Sequence, residues 1–164
     1  MRYNQFAIMK KFVLFSIAML MSVASFAQES SQVEKAVDAI VKKYDDVDKV
    51  ECVTVTKGNG LEMLKMLFNK QFGKDFMRGV TSITFIEYSE ASKEVCQALR
   101  KELDAFTALL EEFKVGEEDK FANNDYVRCF AAVSPDATLS DFVFALEDEE
   151  TKMLMYMAGK IKVE

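Results

Sequence analysis

YVRCFAAVSPDATLSDFVFALEDEETKMLMYMAGKIKV, residues 126–163, carries three strand-like runs separated by turn signals. Tyr126–Val133 closes at SPDA, which holds the chain's only proline; Leu139–Glu147 closes at the acidic EDEE; Lys152–Val163 completes the stretch. β-Branched and aromatic residues suit a pleated, half-buried surface, and short polar turns between such runs join neighbouring strands head to tail. The expectation is an antiparallel meander of three or four strands, the extra one coming from the second half of LLEEFKV before GEED.

Both alternating sets of the last two runs are apolar. Phe142, Phe144 and Leu146 face one way and Val143 and Ala145 the other; Met153, Met155 and Met157 alternate with Leu154, Tyr156 and Ala158. An antiparallel sheet with one wet face should alternate apolar with polar, so something must cover the second set. Either these strands are central and sandwiched by helices on both faces, or Phe142, Phe144, Leu146, Met153, Met155 and Met157 form a face covered by a second copy of the chain, another envelope protein, a lipidic or peptidic ligand, or the chain's own N-terminal helix.

Upstream of the meander the period changes. Val33, Ala36, Val37, Ile40, Val41 and Tyr44 recur at helical spacing, with Ser30 or Ser31 available as N-cap. VECVTVTK, residues 50–57, alternates as a strand; Gly58 and Gly60 then precede a second helix lined by Leu61, Leu64, Leu67, Phe68 and Phe72. TSITFIEY, residues 81–88, is a second strand, and Ser89 or Ser92 opens a third helix with Val95, Leu99, Leu103 and Phe106 on one face. Strand, helix and strand in that order predict a parallel, right-handed βαβ unit. The sum is an α+β chain: a two-layer sandwich, N-terminal αβαβα followed by a C-terminal antiparallel β-meander, with helices packed on one face of a mixed sheet.

The N-terminus predicts export. Arg2, Lys10 and Lys11 precede the apolar Phe12–Val23, and Ser25 and Ala27 are the small residues of a cleavage site, the pattern of a secretory signal peptide over residues 1–27. Met9 heads a complete signal by itself and is read as the true start. The apolar run is too short for the roughly 20 residues that span a bilayer, so no membrane span is expected after cleavage. Residues 28–164 form one domain by length. The excised segment holds three of the 21 basic residues and none of the 27 acidic ones, leaving the remainder at a net −9. That charge disfavours nucleic acid and anionic membrane surfaces.

Catalytic equipment is sparse. The chain has no histidine and no CxxC, which removes the usual zinc sites and the commonest general base. Ser92 and Lys93 are adjacent on a helix and point about 100° apart, which is no dyad. Acids cluster at Asp45–Asp48, Glu111–Glu112, Glu117–Asp119 and Glu147–Glu150, all in expected turns or element ends and none with calcium-loop spacing. The GNG before the second helix lacks the P-loop lysine. No cofactor, metal or catalytic residue is assigned. Cys52, Cys96 and Cys129 are read as buried free thiols, with Cys52–Cys129 as the pair for a disulfide if one forms.

VTVTK, TFIEY, EEFKV, YVRCFAAVS, LSDFVFALEDEE and the terminal MAGKI, taken in order, resemble an uncharacterised domain-of-unknown-function family of small exported proteins from Bacteroidota, over roughly residues 30–164. The resemblance implies a compact α+β domain in the cell envelope and brings no activity or cofactor. Lys160 stands where that pattern usually has an acid after the last strand's glycine. The expected function is that of an exported, periplasmic or extracellular, non-enzymatic protein acting by binding or self-association. The alternative is a carboxylate-based hydrolase or lyase acting on an envelope substrate.

Overall fold

A computed structural model describes residues 30–113, 126–136 and 138–162. The signal peptide expected over residues 1–27 and the acids Glu117–Asp119 lie outside them. Among the described residues, helices α1 (Ser30–Tyr44), α2 (Asn59–Phe72) and α3 (Lys93–Thr107) accompany strands β1 (Glu51–Val55), β2 (Gly79–Glu87), β3 (Glu111–Phe113), β4 (Tyr126–Val133), β5 (Thr138–Glu147) and β6 (Lys152–Lys162). The class is α+β, and the order α, β, α, β, α followed by a run of strands is the one the sequence predicts.

The strands form one sheet in the order β1-β2-β6-β5-β4-β3. Every neighbouring pair is antiparallel, so the expected mixed sheet and parallel βαβ unit are corrected: β1 and β2 flank α2 yet pair directly in opposite directions, Cys52 against Ile86 and Val55 against Ile83. α2 rises about 21 Å and the turn after it returns the chain to the end of the sheet that β1 left. Strand, helix and strand has the same sequence signature whether the second strand lands parallel or antiparallel; the landing is decided here by the pairing of β2 with β6. The same-direction crossover occurs one unit later, where α3 carries the chain from β2 across β6, β5 and β4 to β3 at the far edge.

Helices cover both faces. α1 and α3 lie on one, where Val33, Val37, Ile40 and Tyr44 of α1 and Cys96, Leu99, Leu103 and Phe106 of α3 share a buried cluster with Phe130, Val143, Ala145, Leu154 and Tyr156. Ser92 caps α3 by accepting from the Val95 amide at 3.3 Å. Arg128 of β4 holds α3 near its end by pairing with Asp104, while also bonding Glu112 of β3 at 2.7 Å. α2 lies on the opposite face, where Leu61 is buried and Leu64 and Phe68 pack against Phe142, Phe144, Met155 and Met157, together with Phe76 and Met77 of the next turn. Asn69 ties that turn to the helix by accepting from the Met77 amide at 2.8 Å. The expected helices on one face of a two-layer sandwich are therefore corrected to helices on both faces.

Strand register slips along a line that crosses the sheet: between Val80 and Ser82 in β2, at Ala158–Gly159 in β6, between Ser140 and Phe142 in β5, and between Phe130 and Ala132 in β4. Gly159 has φ 99°, and a side chain there would collide with the Gly79 carbonyl. Only glycine lets β2 and β6 approach this closely. In β5 the irregular residue is Asp141, held at φ 50°.

Candidate functional site

The six residues predicted as a binding face do come together. They form three cross-strand pairs, Phe142 with Met157, Phe144 with Met155 and Leu146 with Met153. They are not an open surface: Phe142, Phe144, Leu146, Met155 and Met157 are buried and Met153 is half-buried. The expectation of an uncovered Phe and Met face is corrected, because α2 and Phe76–Met77 share the cluster into which that face packs.

Among the described residues the exposed large apolar side chains gather one layer further out, on α2, while Val53 of β1 and Leu109 after α3 are exposed singly. Met63, Met66 and Leu67 are 57%, 64% and 55% exposed. LEMLKMLF has more apolar residues than one buried stripe can use, and that excess is the signal in the sequence. Leu61, Leu64 and Phe68 take the inward positions, which turns Leu67, expected to line the core, about a quarter-turn away from them. Beside this surface runs an open groove of about 510 Å³ lined by Glu62, Lys65, Met66, Asn69, Lys74, Asp75 and Arg78. Its charges are partly self-satisfied, Lys65 with Glu62 at 3.5 Å and Arg78 with Asp75 at 3.6 Å.

Two acids are buried on the opposite face of the sheet. Glu147, read from sequence as part of a solvated turn, is 3% exposed; Tyr88 donates to it at 2.8 Å and the Arg100 guanidinium at 2.6 Å. Asp148 is the true turn residue, accepting from the amides of Glu150 and Thr151 at 2.8 and 2.6 Å. Asp141 escaped notice in the sequence, although a lone acid inside LSDFVFALE is the signal that marks it. It is 3% exposed, accepts from the Tyr156 hydroxyl at 2.5 Å through Oδ1, and its Oδ2 is buried with no partner among the described residues. Burial pushes the Asp141 carboxyl up to about 6; Glu34 of α1 adds to the rise and the Tyr156 bond opposes it. Burial and the adjacent carboxylate likewise push the Tyr156 phenol up.

The chain matches no family model, no curated protein and no solved structure. Glu147 is engaged by an arginine and a tyrosine. Six residues along an extended strand separate it from Asp141, about 20 Å, far beyond the roughly 5–10 Å between the paired acids of glycoside hydrolysis.

The cysteines are free. Cys52 belongs to the α1–α3 face and Cys129 to the α2 face, and four strand spacings, about 19 Å, separate their strands. A Cys52–Cys129 disulfide is thereby ruled out in this fold. Burial raises the Cys129 thiol well above its ordinary value, which makes it unreactive. Among the described residues no group of three His, Cys, Asp or Glu side chains is placed to hold a metal ion, and no helix is long and apolar enough to cross a membrane.

Proposed function

We propose that the chain is an exported, periplasmic or extracellular envelope protein of the Bacteroidota type it resembles, and that it works by contact: it binds a second copy or another envelope protein and carries out no reaction. The observation that supports this is the outer face of α2, where Met63, Met66 and Leu67 stand more than half exposed while the core behind them is complete. Methionine is unbranched and polarizable, and suits adaptable surfaces. The binding face thus moves from Phe144 and Met155, whose replacement by charge would unfold the domain, to α2, where substitution leaves the core intact.

The test is affinity capture from the native envelope with the wild-type chain and with M63E/M66E. Loss of specific partners with the melting temperature unchanged supports the reading; identical capture by both refutes it. The carboxylate-hydrolase reading has one observation on its side, the raised Asp141 beside Tyr156. It would be supported by turnover of a peptidoglycan or glycan substrate that D141N abolishes.

A further inference from the structure

The outward line of α2 is patterned for pairing with itself. At about 100° per residue, Met66 lies opposite the buried stripe of Leu61, Leu64 and Phe68, and its flanking exposed neighbours on the same line are Glu62 and Lys70, four residues before and four after. Glu62 is 71% exposed at its side chain, and its Oε1 pairs with the Lys65 ammonium of the same helix at 3.5 Å. Lys70 is exposed and has no ion-pair partner among the described residues.

We propose that two copies of the chain associate through antiparallel α2 helices centred on Met66, with Glu62 of each copy against Lys70 of the partner subunit. The charge pattern selects both the partner and the direction. An antiparallel pair about Met66 brings opposite charges together at two symmetry-related points, as an isologous two-fold contact requires. A parallel pair would set Glu62 against Glu62 and Lys70 against Lys70. Met66 packs on its own copy at the axis, and Met63 and Leu67 widen the apolar seam. A single helix pair buries less than the roughly 800 Å² per partner of a standard interface, so the association is weak and concentration-dependent.

This inference rests on the contact reading above and names its partner. Its test is sedimentation equilibrium of the purified protein, in the form the cell produces, from about 1 μM to about 1 mM. Wild type should dimerise within that range. E62K and K70E should each weaken the dimer about tenfold, because each turns two attractive contacts into repulsive ones. E62K/K70E should return to within about threefold of wild type, and M66E should abolish the dimer. Both reversals oppose the α2 dipole, so recovery in the doubly reversed chain cannot come from a steadier helix. A chain that stays monomeric throughout overturns the pairing and leaves the contact reading to be judged by envelope capture. Dimerisation indifferent to E62K and K70E also overturns it, while keeping self-association through another surface.

Discussion

Replacing Asp141 with asparagine should stabilise this protein at alkaline pH and leave it unchanged in acid. The folded carboxyl titrates near 6 against an ordinary 3.8, so the folded state holds the proton more tightly than the unfolded chain. Stability from this group is complete below pH 4 and is lost as pH rises through 6. A difference of about two pH units corresponds to ~3 kcal/mol at full ionisation, a ceiling that local relaxation lowers. Asparagine keeps an oxygen to accept the Tyr156 hydroxyl, tolerates the positive φ of this position, and removes the charge. D141N should therefore gain ~1–3 kcal/mol at pH 8, roughly 3–10 °C in melting temperature, and close to nothing at pH 4.

Urea unfolding followed by far-UV circular dichroism at the two pH values measures the difference directly, and subtracting wild type from variant cancels every other titrating group. Y156F should move the opposite way, losing more stability at pH 8 than at pH 4, because the hydroxyl that steadies the carboxylate is gone. An equal effect of D141N at both pH values, or destabilisation at pH 8, would refute the account of Asp141 as a buried, under-satisfied acid.

Three further outcomes are expected. R100M leaves the Glu147 carboxyl, which is 3% exposed, without its cation and with the Tyr88 hydroxyl still donating to it, and should destabilise by ~1–3 kcal/mol once the partial exposure of Arg100 is discounted; R100M/E147Q should recover most of the loss in the same urea assay. G159A forces a side chain against the Gly79 carbonyl at positive φ and should cost ~2 kcal/mol or more, seen as a lower melting temperature. In the native protein a soluble maleimide should label Cys52, which is half-buried at the edge strand, well before Cys96 or Cys129; peptide mapping reads the order, and early labelling of Cys129 would contradict its placement inside the sheet.

The fate of LSDFVFALE and KMLMYMAGK shows how far local reading reaches. Their apolar residues on both alternating sets identified strands that must be covered twice, and the structure covers them twice. Helices on both faces was one of the two readings the pattern allowed; that α2 is the helix on the Phe and Met face was not legible, because it reaches that face by a turn whose direction leaves no local trace. The same turn relocates the open apolar surface from the sheet to Met63, Met66 and Leu67. Asp141 carries a local signal, a lone acid in an apolar strand, but nothing local marks its burial, which goes with a register slip shared by β2, β6, β5 and β4.

The sequence by itself determined the order and type of the elements, since hydrophobic period, capping serine and turn residues act within a few positions of one another. Only the tertiary structure decided that β1 meets β2 antiparallel, that Cys52 and Cys129 face opposite sides, that Glu147 is buried between Tyr88 and Arg100, and that α2 presents methionine outward. Each of these depends on contacts between residues far apart in the chain, whose energies are set by packing and desolvation that no short window of sequence contains.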